Sequence, residues 1–128
     1  MANLRARIED LVAGDDYDYT ATVPGLPTGT TIIKAWFTVK TNDTDADPGV
    51  FQKDITTTLV ATKGQITDNG VTDGIGVCAF YCQASDTVLL TPNYEYFFDV
   101  QIQLSTNRLY TPIKGRLVAE RQITTATS

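Results

Sequence analysis

The segment Tyr94–Leu104 constrains this chain more than any other. Its even positions are Tyr94, Tyr96, Phe98, Val100, Ile102 and Leu104; its odd positions are Glu95, Phe97, Asp99, Gln101 and Gln103. A period of two marks a strand with one buried and one wet face. A slip of one residue would bury two carboxylates and two amides, so the register is strongly specified. This strand is expected at the centre of a sheet.

Other segments follow the same rule. In Thr31–Lys40, residues Ile33, Ala35, Phe37 and Val39 are expected to face the core, Lys34, Thr38 and Lys40 the water, and Ile32 and Trp36 the outer face. Tyr17–Val23 turns Tyr17, Tyr19, Ala21 and Val23 inward. Gln52–Thr58 is weakly patterned and reads as an edge. Gly76–Gln83 is a further strand, and a last one runs from Tyr110 to about Ile123, kinked at Pro112 or Gly115. Leu4–Leu11 reads as a first, outer strand, although Leu4, Ile8 and Leu11 also fit helical spacing. Ser85–Tyr94 reads as a crossing between sheets, with Asp86 and Thr87 capping one helical turn. Tyr94 then stands where sandwiches place a tyrosine corner.

The 21 threonines, with frequent Val, Ile, Tyr and Phe, suit pleated, half-buried surfaces. Turn formers such as Pro24-Gly25, Asp47-Pro48-Gly49, Asn69-Gly70 and Pro92-Asn93 recur at short-strand spacing. The expected fold class is therefore all-β: an immunoglobulin-like two-sheet antiparallel β-sandwich of seven or eight strands. A small barrel is the alternative. Residues 1–128 form one domain in this reading, with short flexible termini at about 1–4 and 124–128.

Composition bears on function. No run of 18 apolar residues occurs, which excludes a membrane-spanning helix. No apolar stretch separates Met1 from Ile8-Glu9-Asp10, which argues against a secretory signal peptide. The formal net charge of −5 argues against a polyphosphate partner. Histidine is absent, removing the commonest general base and zinc ligand.

Candidate chemical sites are few. Cys78 and Cys82, four apart in one strand, lie about 13 Å apart on one face. That is too far for a disulfide; they read as small buried hydrophobes, with a bond to a neighbouring subunit as the alternative. Asp43, Asp45 and Asp47, with Asp54 twelfth, imitate a calcium loop, but Pro48 stands where that loop needs glycine. A solvated hairpin loop is the simpler reading. Asp15, Asp16 and Asp18 read as the polar end of a strand. Glu95 and Asp99, about 13 Å apart on the wet face, exceed the separation of a glycosidase pair, and Lys114 and Arg116 are placed to pair with them. No catalytic residue, cofactor or metal ligand is assigned.

Trp36, Phe97 and either Phe80 or Tyr81 fall outside the core pattern. Such aromatics suit a protein–protein interface, a surface covered by a loop, or a sugar platform. Arg5 and Arg7 make the N-terminal segment locally basic and fit to dock on an acidic neighbour. Arg5, Arg7, Trp36 and Phe97 are the interface candidates.

Several stretches carry a resemblance: Ile8–Asp16, Thr31–Lys40, Ala46–Thr56, Gly64–Thr67, Asp86-Thr87 with Leu90–Tyr94, Phe98–Gln101 and Gly115. Their order is similar to that of small phage and prophage immunoglobulin-like virion proteins, and to the N-terminal domain of phage baseplate upper proteins. The resemblance implies a non-enzymatic virion part, foremost a capsid decoration or stabilising subunit. A neck, tail or baseplate adaptor and a host-surface carbohydrate-binding module are the alternatives. It further implies other virion proteins as partners (major capsid, neck or tail subunits), many copies or a homo-oligomer on a symmetric particle, and assembly in the bacterial cytoplasm. Nothing in the sequence follows the sandwich, which favours the small add-on subunit over a multi-domain adaptor.

Overall fold

The computed structural model describes residues 3–124. Eight strands follow one another: β1 (Leu4–Ile8), β2 (Tyr17–Val23), β3 (Ile32–Lys40), β4 (Phe51–Ile55), β5 (Gly64–Asn69), β6 (Gly76–Cys82), β7 (Glu95–Leu104) and β8 (Leu109–Val118). A single helical turn, α1 (Ala84–Thr87), lies between β6 and β7. The strands form a five-stranded sheet, β1-β8-β7-β3-β4, and a three-stranded sheet, β2-β6-β5. This is an all-β two-sheet sandwich with the immunoglobulin strand order, not a barrel. The strand pairs are antiparallel except β1 with β8, which run parallel.

β7 sits mid-sheet between β8 and β3, as the alternation demanded. Its even residues from Tyr96 to Leu104 are all buried. Phe37 sits in the middle of the core, with its ring centroid 5.3 Å from Tyr19, 5.6 Å from Phe80, 5.6 Å from Phe98 and 6.2 Å from Phe51. It therefore touches aromatics from both sheets, and such pairs add to plain area burial.

The structure corrects five readings. At the start of β3 a bulge between Ile32 and Lys34 turns Ile32 inward and leaves Ile33 exposed. Ile32 fills the space over Gly76, where a Cβ would lie 2.3 Å from its Cδ1. The tyrosine corner belongs to Tyr96, not Tyr94: the Thr91 N–H donates to the Tyr96 hydroxyl at 2.7 Å, while Tyr94 is exposed. The last strand stops at Val118, and its register shift falls between Tyr110 and Ile113, at Pro112 rather than Gly115. β4 is an edge, but it alternates cleanly, with Phe51, Lys53 and Ile55 inward. β5 is a strand that the expected set lacked; its short apolar content, Ile66 alone, gave no pattern.

Leu4–Ile8 forms the outer strand, not a helix. Leu4–Arg7 is thus held on β8 rather than being a free head, because its backbone completes the parallel ladder. The expected flexibility of residues 1–2 and 125–128 lies outside the described residues.

Candidate functional site

Charge is segregated between the two sheets. The strands of the five-stranded sheet hold Arg5, Arg7, Lys34, Lys40, Lys53, Lys114 and Arg116 against Asp54, Glu95 and Asp99. That is seven of the chain's ten cations and only three of its fifteen carboxylates. The strands of the three-stranded sheet hold no cation, and carry Asp18 and Asp68. A basic sheet thus stands on an acidic protein.

The pleat places all these cations except Lys53 on the outer face. Glu95 lies at one end, where the Arg116 Nη1 donates to its Oε1 at 2.6 Å and the Arg7 Nη1 to its Oε2 at 3.4 Å. Arg7 also pairs with Glu9. The hydrogen bond from Arg116 is the largest reason why the Glu95 carboxyl titrates below its ordinary range. The Arg116 guanidinium stands 4.3 Å over the Phe97 ring, a cation–π contact. At the other end the Lys34 ammonium lies 5.2 Å over Trp36 and 3.8 Å from Asp54, which Lys63 holds at 3.0 Å. The hydrogen bond from Lys63 is the main cause of the lowered Asp54 titration.

Between Arg5, Lys114, Phe97, Asp99, Thr38 and Lys40 runs an open groove of about 480 Å³. Burial pushes the Asp99 carboxyl above its ordinary range, against the pull of Lys40 and Lys114. Lys114 is its register partner across β8. Lys40 instead bonds Asp47 at 2.9 Å and holds that carboxyl low, chiefly through the hydrogen bond.

The structure gathers Arg5, Arg7 and Phe97 at one end of this face. Trp36 shares the face but not the patch: Phe97 lies opposite Lys40, four residues further along β3, or about 13 Å away. Phe80 is fully buried in the core, correcting its reading as an exposed aromatic, because its odd neighbours Tyr81 and Ala79 take the outer face of β6. The acidic candidates serve structure. Asp45 accepts the Asn42 N–H at 3.0 Å, and Asp54 sits on β4 with its two lysines. Asp15 accepts from the Gln122 amide at 2.7 Å, and Asp16 from the Ala84 N–H at 2.7 Å. Among the described residues no group of three or more Cys, Asp or Glu side chains is placed to hold a metal ion. Cys78 and Cys82 are free and buried, and burial pushes both thiols up to about 12.

Two polar anchors were missed. Lys53 points inward from β4 and reaches Asp86 of α1 at 2.5 Å and the Thr62 carbonyl at 3.2 Å. The fully buried Thr87 hydroxyl donates to the Asp15 carbonyl at 2.6 Å and accepts the Gly14 N–H at 3.0 Å. The Phe51-x-Lys53-x-Ile55 alternation was the available signal for the first; Thr87 was read only as a cap of the turn, whereas Gln83 takes the N-cap position and Asp86 accepts its N–H at 2.9 Å.

The sequence matches no model of a known protein family and no curated protein.

Proposed function

We propose that this chain is a non-enzymatic structural subunit of a phage virion, foremost a capsid decoration or stabilising protein. The observation that supports this reading best is the concentration of six outward-facing cations on one sheet of an acidic molecule. A basic, aromatic-bearing face on a rigid sandwich suits docking on an acidic neighbour, where charge steers encounter and Arg and aromatic anchors carry the energy. Phe97 under Arg116, with Arg5 and Arg7 beside them, is the proposed anchor. A standard contact buries about 800 Å² on each partner. Repetition over a symmetric particle multiplies weak contacts by avidity. The sugar-platform reading is less well supported, since Lys34 lies over the ring that a sugar would stack on.

Mass spectrometry of purified particles tests the proposal. The chain is expected in intact virions, and its recovery with separated heads or with separated tails assigns the site. Its absence from particles that otherwise package normally would end the proposal.

A further inference from the structure

The four sheet edges differ in how they are guarded, and the difference points to a second binding surface. Edge strands expose unpaired backbone groups, and proteins blunt them with charges, inward lysines, short length or covering loops. β1 is five residues long and carries Arg5 and Arg7. β4 is also five residues long, with Lys53 pointing inward. β5 is covered: Gly64 exchanges hydrogen bonds with Val60 at 2.8 and 3.1 Å, and the Ile66 N–H donates to the Thr56 carbonyl at 2.8 Å. β2 carries one of these devices only, the exposed carboxylate of Asp18 near its start. It runs seven residues, Tyr17–Val23, without Lys, Arg, Pro, Gly or a bulge.

The free groups on β2 can be assigned. The Tyr81 N–H donates to the Lys63 carbonyl, on the β5 side of β6. In an antiparallel ladder the N–H and C=O of one residue point the same way, and neighbours alternate. Cys82, Phe80, Cys78 and Gly76 therefore bond towards β2, to their partners Tyr17, Tyr19, Ala21 and Val23. Asp18, Thr20 and Thr22 then turn their backbone groups outward. Among the described residues no backbone or side-chain group hydrogen-bonds to them there. Their side chains are exposed on the outer face.

We infer that this edge pairs with the same edge of a second copy, antiparallel about a two-fold axis at Thr20. The strand is self-complementary in that register. Asp18 faces Thr22 of the other copy, Thr20 faces Thr20, and every outward residue meets an outward residue. Three pairs exchanging two hydrogen bonds each would satisfy all the free groups. The two Asp18 carboxylates lie about 13 Å apart, so no like charges are opposed, and threonine pairs across strands are favourable. The three-stranded sheets join into one of six strands, while the basic sheet of each copy stays free. The inference is independent of the virion reading.

Analytical ultracentrifugation of the full chain, up to about 1 mM, the weak end of specific association, is the test. Wild type is expected at twice the 14.0 kDa chain mass. T20P removes an N–H that no ladder bond uses, a position where an edge strand tolerates proline. It should be monomeric with an unchanged far-UV spectrum. T20K and T20E each set like charges across the axis and should be monomeric alone, whereas their equimolar mixture should dimerise. That pair decides the matter should T20P not fold. A wild-type monomer throughout the range, a T20K variant that remains dimeric, or a complex holding a strand of a different protein would each overturn the inference.

Discussion

The two sheets share a core and differ outside it. Phe37 of the five-stranded sheet packs on Tyr19 and Phe80 of the other. Outside, the first sheet carries cations, carboxylates and half-buried aromatics, while the second carries threonines, Asp18 and Tyr81. Burial of alternate residues stabilises both sheets, and leaves the outer positions unconstrained by the core. The wet face of a sandwich is therefore where its individuality lies.

Breaking what the sheets share should cost most. Phe37→Ala is expected to destabilise by about 4 kcal/mol, the cost of a cavity left by a central aromatic, as measured by urea unfolding. Next come the close approaches within each sheet. A Cβ on Gly64 would lie 1.9 Å from the Ala79 carbonyl oxygen, and one on Gly115 1.9 Å from that of Ala6. Both Gly→Ala variants should lose about 3 kcal/mol. Gly64→Ala should be the worse, since its φ of +123° also disfavours a side chain. Hydrogen exchange would localise the loss to β5 in one and to β1 in the other.

The link from β4 to α1 comes third. Removing one partner of a buried ion pair leaves the other unpaired. Lys53→Ala should cost about 2 kcal/mol, discounted because both side chains keep some exposure. Lys53→Met with Asp86→Asn should regain most of it, because asparagine can still accept the Gln83 N–H that Asp86 accepts at 2.9 Å. No recovery in the double variant would mean that Asp86 acts through some other contact.

The smallest effects belong to the basic face. Burial raises the Asp99 titration, so the folded state binds more protons than the unfolded state between the ordinary aspartate value and the raised one. Stability from this group is fully present below that window and falls as pH rises through it. Asp99→Asn should therefore raise the unfolding midpoint at neutral pH and leave it unchanged in acid. Asp47, Asp54 and Glu95, held low by lysine or arginine, act oppositely and lose their contribution as pH falls. Arg116→Ala should barely move the midpoint, because its partner Glu95 is exposed and screened, yet on the proposed function it should release the subunit from particles.

Much of the fold was legible because alternation survives wherever a strand is buried on one face. β2, β3, β6 and β7 were readable from their own residues. β5 was not, since Ile66 is its one apolar side chain and its place in the sheet is fixed by backbone hydrogen bonds, including those to Val60 and Thr56. Part of the candidate face was legible too: Arg5, Arg7 and Phe97 stood out as residues that the core did not absorb. Their union could not be read, because β1 pairs with β8 across more than a hundred residues of sequence.

The sequence by itself determined the all-β class, the central strand and its buried face, since a period of two has one favourable way to hide its apolar side. Only the tertiary structure decided that Ile32 rather than Ile33 enters the core, that Tyr96 makes the corner, and that Lys53 finds Asp86. Each depends on what another strand or turn leaves open: the bare Gly76, the Thr91 N–H, the carboxylate on α1. Contacts between distant segments are set by packing, and no local pattern encodes them.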